Sequence, residues 1–396
     1  MKLRAFSKDD VCGKKVLVRV DFNVPLKNGA VADSTRILAH RETVSALQKM
    51  GATVALCSHL GRPKGKRVPE MSLESVKGEA GRVFNAPVVF CEDCVGQPVQ
   101  SALDGLVVGE LLLLENLRFY REEQENDVEF AKKLASPFDV FVMDAFSASH
   151  RADASTSAIM SILPSFSGAL LQREVEMLSA VSDEPKRPFV LILGGAKVSD
   201  KIGVIEHLME KTSSILIGGG MAFTFLKALD RHIGRSLLEQ DKLSFAHDMI
   251  RKAANLGVEL VLPVDVIVGD SPDGDQLPHT VAADAIPDDK MGLDIGPDTV
   301  ALFVKKLEGA STVLWNGPMG VFENPLYMEG TKGVAEGVLE CTRRGGVSIV
   351  GGGDTAAAAK ALGFAGGVSH VSTGGGASLE FCEGKNLPGI EPLIER

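Results

Sequence analysis

The stretches PFVLILGGAK (188–197) and GVSIVGGGDT (346–355) share one plan: a short apolar run, two or three glycines, then a polar residue opening a stretch of helical period. Apolar runs with so little alternation suit strands buried on both faces, as in a parallel sheet covered by helices. Apolar runs followed by glycine or a polar residue recur in SSILIGGG (213–220), VELVLPVDVIV (258–268), STVLWNGPMG (311–320) and SHVSTGGG (369–376). Upstream, comparable runs stand in VLVRVDFNVP (16–25), ATVALCSHLG (52–61), APVVF (86–90), ELLLLENLRF (110–119) and DVFVMDAFSA (139–148). This βα alternation predicts an α/β protein. Ten or more strands in one open sheet would be unusual, so one parallel sheet is expected in each half.

Between the halves lies PSFSGALLQREVEMLSAVSDEPKRP (164–188), where Leu170, Leu171, Val175, Leu178 and Val181 recur at helical spacing between Gly168 and Pro185. Those breakers bound a helix that is expected to connect two domains. The Asp/Pro/Gly-rich stretch 269–297 reads as an irregular excursion, with a flexible lid as its alternative.

The length of 396 residues fits two or three domains. A net charge of −10 has the wrong sign for wrapping nucleic acid or docking on an anionic membrane. No apolar run approaches the roughly 18–20 residues needed to span a bilayer, and the N-terminal MKLRAFSKDD lacks a secretory pattern. A cytoplasmic monomer is expected. Six scattered cysteines do not form a disulfide framework, and Cys91 and Cys94 lack the second pair or histidines of a zinc site.

Open α/β sheets bind ligands at the carboxyl ends of their strands. In the first half those ends carry Asp21 and Asn23, then Arg36, His59, Arg62, Arg118, His150 and Arg151. Arginine's planar fork recognises phosphate or carboxylate, so their recurrence implies a small, multiply anionic ligand. Taken singly, each arginine reads as a surface ion pair and His59 as a packed loop histidine. In the second half the strand ends are glycines instead, and the chain's 42 glycines, about one residue in nine, exceed the usual ~7%. Glycine lets backbone N–H groups approach an anion, and a helix N-terminus adds a favourable dipole. Lys197 and Lys201 fall on one helical face if a helix begins near Ala196. Asp354 suits Mg²⁺, directly or through water, or else is a helix cap. The Gly-x-Gly pairs lack the third glycine of a dinucleotide fingerprint, and no GxxxxGK[ST] loop or kinase HRD–DFG set is present.

The motifs VRVDFNVP, SHLGRP, ENLRF, SHRADAST, GGAKVSDKI, WNGPMGVFE, GGGDTAA and STGGGASLEF occur in the order and spacing of one family. Across essentially its whole length the chain resembles phosphoglycerate kinase. The resemblance implies two Rossmann-like three-layer αβα domains with parallel sheets joined by a hinge helix. Residues 1–169 would hold phosphoglycerate, 170–185 would be the hinge, and 186–377 would hold nucleotide, with 378–396 packing back on the first domain.

By the same resemblance, Asp21, Asn23, Arg36, His59, Leu60, Gly61, Arg62, Arg118 and Arg151 would bind 3-phosphoglycerate or 1,3-bisphosphoglycerate. Gly195, Lys197, Lys201, Gly219, Gly220, Asn316, Glu323, Gly352, Gly353, Asp354 and Thr355 would bind ATP or ADP. Arg36, Lys197 and Gly353 would be catalytic, with Mg²⁺ at Asp354. The family's usual DAFGTAHRAHAS reads DAFSASHRADAS here, which puts Ser147, Ala148, Ser149 and Asp153 in a substrate loop. Lost glycine freedom and an added negative charge near Arg151 are expected to weaken substrate binding there. An NAD-linked oxidoreductase and a non-catalytic anion-binding relative are the competing readings.

Overall fold

Each apolar run quoted from the first half contains a strand of one sheet. The strands of the first half in chain order are β1 (Lys15–Arg19), β2 (Leu26–Lys27) and β3 (Ala30–Val31), which pair only with each other as a separate antiparallel hairpin, then β4 (Thr53–Cys57), β5 (Val88–Cys91), β6 (Leu111–Leu114), β7 (Val140–Met143) and β8 (Ser165–Ser167). The sheet is parallel throughout, in the order β5-β6-β4-β1-β7-β8. All four leucines of β6 are buried, as a strand covered on both faces requires. β8 is missing from the sequence-based expectation because Ser165-Phe166-Ser167 is too short and polar to announce itself.

The second half supplies β9 (Phe189–Leu193), β10 (Ser214–Ile217), β11 (Glu259–Val261), β12 (Asp265–Gly269), β13 (His279–Ala282), β14 (Met291–Ile295), β15 (Thr312–Asn316), β16 (Val347–Gly351) and β17 (His370–Val371). Its main sheet is also parallel, ordered β11-β10-β9-β15-β16-β17. VELVLPVDVIV is two strands, not one, since Pro263 cannot donate to a ladder. The stretch 269–297 is likewise more regular than expected. It contributes β13 and β14 to an antiparallel sheet ordered β13-β12-β14.

The computed structural model describes residues 1–275 and 277–395 and divides the chain into two units, Met1–Glu176 with Asn386–Arg396, and Met177–Lys385. The connecting helix runs Ala169–Ser182, so the division falls inside it. The returning segment starts at Asn386 rather than at 378, and Arg396 at its end lies outside the described residues. Residues 378–385 stay in the second unit because they pack on the helix Ile202–Leu208. A Cβ on Gly384 would lie 2.5 Å from the His207 ring, and one on Gly203 would lie 2.7 Å from the Glu383 carboxyl carbon.

In each sheet the order reverses direction beside the first strand. β1 leads to β4 on one side while its neighbour β7 leads to β8 on the other, and β9 and β15 diverge in the same way. Such reversals open a crevice at the carboxyl edge. In the second unit the register aligns Leu193 with Asn316 and Asn316 with Gly351, so three glycine-bearing turns leave the sheet side by side.

Below that edge the core is anchored by Trp315, fully buried and stacked on Phe364 with ring centroids 5.4 Å apart. Trp315→Ala is expected to cost about 3–5 kcal/mol. Urea unfolding followed by far-UV circular dichroism measures it, and a loss under about 1 kcal/mol would contradict the packing described.

Candidate functional site

At the crevice between β1 and β7, Asp21 is the organising acid. Its Oδ2 accepts from Arg36 Nη1 at 2.9 Å and from the Ser147 hydroxyl, and its Oδ1 accepts from the Asn23 N–H at 2.9 Å. Burial alone would raise the Asp21 pKa, but Arg36 and these hydrogen bonds outweigh it and bring the carboxyl down to about 2. The carboxylate therefore stays charged across the neutral range. Arg36, on the short helix Thr35–Ala39, also donates to the Asn23 carbonyl at 3.1 Å and keeps its side chain 40% exposed.

The β4 and β6 ends are tied by Asn116, whose Oδ1 accepts the Leu60 and Arg118 N–H groups at 3.2 and 3.1 Å while its Nδ2 donates to the Leu60 carbonyl at 2.7 Å. Gly61 donates its N–H to Asn23 Oδ1 at 2.9 Å, and its carbonyl accepts from Arg118 Nη1 at 3.1 Å. Arg62 follows it, exposed. Arg118 is buried, and its Nε and Nη2 have no hydrogen-bond partner. Burial, helped by Arg151 and Arg19, lowers its pKa to about 10. His59 accepts from Arg19 Nη2 at its Nδ1, 3.0 Å away, which leaves the ring proton on Nε2. Burial first, then Arg19, Arg118 and Arg151, hold His59 well below the usual imidazole range, so it is neutral. Arg151 is half-buried, with its Nε 3.3 Å from His150 Nε2.

In the second unit the glycine turns interlock. Gly194 donates to the Asn316 carbonyl, Gly195 to Pro318 and Gly219 to Met319, each at 2.9 Å. The N–H groups of Gly195 and Gly219 are thus spent on protein carbonyls and do not cradle an anion, contrary to expectation; these glycines serve by having no side chain. Free N–H groups are supplied instead by the first turn of the helix Gly353–Ala361, which has no preceding carbonyls to satisfy. Gly352 caps that helix at φ 87°. A Cβ there would stand 3.0 Å from Asn316 Nδ2. Thr355 is buried, and its hydroxyl accepts the Gly317 N–H at 2.6 Å.

This edge opens a cleft of about 510 Å³ lined by Lys197, Lys201, Asn316, Gly353, Asp354 and Thr355, among others. Lys197 and Lys201 meet there, although not through one helical face, because the helix begins only at Ile202. Burial lowers the Lys201 pKa, against the opposing pull of Asp200, Asp354 and Glu383. A second cleft of about 230 Å³ shares Gly195, Ala196 and Asp354 with the first and holds Gly219, Gly220 and Glu323. Its apolar wall is Leu237, Met291 and Leu293, which suits a flat aromatic base.

The family model for phosphoglycerate kinase matches residues 6–385. The chain belongs to the phosphoglycerate kinase family. It is 50% identical over 390 residues to the phosphoglycerate kinase of Rippkaea orientalis, covering 98% of each chain. It is 51% identical over 383 residues to that of Moorella thermoacetica, covering 97% of each. Among solved structures it resembles phosphoglycerate kinase from Coxiella burnetii with a TM-score of 0.87 and 40% identity, covering 99% of this chain and 98% of that one.

Within that family, two departures in the loop after β7 now have geometry. Ser147 lies in a single 3-10 turn without positive φ, so glycine's freedom is not called on, and its hydroxyl holds Asp21. Asp153 faces Arg118, at 3.9 Å, rather than Arg151 alone. The sequence-based expectation also missed Leu237, a loop residue, and Met291 and Leu293, which lie on β14 within the stretch read as irregular, and the pair His40 and Asp144.

His40 is fully buried; its Nε2 accepts the Asp21 N–H at 2.8 Å, which places its proton on Nδ1, 2.7 Å from Asp144 Oδ2. His40→Ala strands a buried carboxylate and a backbone donor and leaves a cavity. It is expected to lower stability by about 3–5 kcal/mol in a denaturant titration. Full retention of stability would show that neither hydrogen bond matters.

Proposed function

We infer that this chain moves a phosphoryl group, reversibly and in line, from the acyl phosphate of 1,3-bisphosphoglycerate to MgADP, giving 3-phosphoglycerate and ATP. The chain is a phosphotransferase of its family, with ATP or ADP as co-substrate. The observation that carries the residue-level reading is Arg118, buried with two guanidinium donors unpartnered beside Arg151 at a strand-end crevice. Buried polar groups are normally satisfied, so a fixed, desolvated fork of this kind is built for an anion that brings the missing acceptors. We place 3-phosphoglycerate there, with Asp21, Asn23, His59, Leu60, Gly61 and Arg62 shaping the site, and the nucleotide across the two clefts of the second unit.

In-line phosphoryl transfer requires positioning and charge stabilisation rather than a nucleophilic side chain. Arg36, held by Asp21 and Asn23, keeps a cation at the mouth of the anion site. Lys197, exposed in the first cleft, is assigned to the group in flight, with the Gly353 N–H at the helix start as a second donor. Lys201, Asn316 and Thr355 line the same cleft and are assigned to the nucleotide phosphates, and Glu323 to the ribose. Asp354 fits Mg²⁺: it is an exposed carboxylate shared by both clefts, and phosphate-bound magnesium needs few protein carboxylates. The ion would neutralise phosphate charge when bound.

Among the described residues no group of three or more His, Cys, Asp or Glu could form an all-protein metal cage, so the ion would arrive with the nucleotide. No helix among them is long and apolar enough to cross a membrane. We further propose a cytoplasmic monomer that does not bind nucleic acid, in keeping with the net charge of −10. Transfer between ligands held by different units calls for hinge motion at the connecting helix.

Coupling 3-phosphoglycerate, ATP and Mg²⁺ to reductive removal of the acyl phosphate and NADH absorbance should give turnover of roughly 1–10³ s⁻¹. Arg36→Ala should lower kcat by about 10²–10⁵-fold while MgADP still binds, since one transition-state charge is removed. Retention of more than about a tenth of kcat would exclude Arg36 from the mechanism. Lys197→Ala should behave alike, and a loss confined to KM would reduce it to a binding residue.

A further inference from the structure

Asp153 is 4% exposed, yet its Oδ2 makes no hydrogen bond. Its backbone is fixed: the N–H donates to Thr156 Oγ1 at 3.0 Å and the carbonyl accepts the Thr156 N–H at 3.1 Å. The unpartnered oxygen lies 3.9 Å from Arg118 Nη2, too far for a hydrogen bond and close enough for an ion pair. Arg118 is in the same condition, with Nε and Nη2 both unpartnered. Nε and Nη2 form one edge of the guanidinium, the edge that takes a phosphate in two parallel bonds. One buried acid thus stands against the edge that the ligand needs, without bonding to it.

We propose that Asp153 is an internal counter-ion for Arg118 that competes with the phosphate group of the substrate, limiting how tightly it is held and speeding its release. This rests on the reading of the Arg118 crevice as the phosphoglycerate site. The charge balance accounts for the arrangement. Arg151 and Arg19 both disfavour the charged form of Arg118, and burying its guanidinium without an anion would be costly. Glu123 also favours the charged Arg118, but less than Asp153 does, and its oxygens already accept from the Ser155 N–H and hydroxyl at 3.0 and 2.5 Å. When the phosphate arrives, Arg118 gains its two missing acceptors and Asp153 becomes a like-charged neighbour in a poorly screened site. When the phosphate leaves, Asp153 is already in place to balance the guanidinium.

The test is calorimetric binding of 3-phosphoglycerate to the full chain and to Asp153→Asn, with release followed by stopped flow. Asp153→Asn should bind about tenfold more tightly or better, with dissociation slowed in proportion. Glycerate, which lacks the phosphate, should change by less than about threefold, and in an Arg118→Gln background the gain should vanish. Asp153→Ser makes the same comparison if the Asn variant does not fold. Equal or weaker binding by the neutral variant, an equal gain for glycerate, or a gain that survives loss of Arg118 would each overturn the proposal. Should wild type fail to bind 3-phosphoglycerate at all, the site reading falls with it. Binding by wild type without a gain in the variant sinks the counter-ion alone.

Discussion

The second unit depends on backbone lying on backbone where β9 and β15 leave the sheet. A Cβ on Gly194 would sit 2.1 Å from the Pro318 carbonyl oxygen, and one on Gly317 would sit 2.1 Å from the Gly194 oxygen. Neither obstacle is a flexible side chain that can swing away. The parallel register brings the two strands to this edge at the same level, and the carbonyls of one turn become the acceptors of the other. What remains above them is a floor with no side chains, on which Lys197, Lys201 and the helix beginning at Gly353 are set. Glycine is demanded here by close approach, and the N–H groups proposed above for the anion are those of the neighbouring helix start.

The first unit reaches the same end by other means. Its crevice is furnished with side-chain cations, and burying them raises the problem of unbalanced charge. Several are held by fixed acceptors, Arg36 by Asp21, Arg118 at one nitrogen by the Gly61 carbonyl, Arg19 by Ser155 and His59, and Arg151 by His150, while Arg62 stays exposed. The imidazole among them is kept neutral by burial and by those cations, so it adds no further charge. On the reading proposed above, a nucleotide offers a flat base and a polyphosphate tail, which suits a slot and a helix start. A small acid with one phosphate offers only compact charge, which suits arginine forks.

These differences decide what could be read in advance. The eleven apolar runs and the glycines that follow six of them state the strand periodicity and the carboxyl edge outright, and nearly every expected site residue lies on that edge. Arg36 reads with the strand-end residues from its place downstream of β1, but its role comes from the resemblance, because it follows β1 at a distance of 17 residues and returns through Asp21. Part of the apolar wall of the second cleft was hidden in 269–297, where turn residues obscured the strand Met291–Ile295 that carries Met291 and Leu293. Helical spacing misled for Lys197 and Lys201, since the turn Val198–Lys201 precedes the helix and yet delivers both to one cleft. The His40–Asp144 pair had no signature at all: its partners stand 104 residues apart and meet only once β7 has joined β1.

That pair shows how far a single buried carboxylate can be shared. Asp144 Oδ2 accepts the hydrogen bond of His40 Nδ1–H and so fixes the Asp21 backbone, while its Oδ1 accepts the Leu170 N–H at 3.0 Å in the first turn of the connecting helix. Thr43 Oγ1 accepts the adjacent Ala169 N–H at 2.8 Å. The helix start is thereby anchored through the same residue that steadies the loop carrying Asp21, Asn23 and the Arg36 acceptors. Both oxygens must be free to serve, and Gly168 keeps one of them so: a Cβ at that position would lie 2.0 Å from Oδ1. An acid at the end of β7, a histidine beyond the hairpin and a glycine before the connecting helix are therefore one device, set by the need to leave no buried donor or acceptor unanswered.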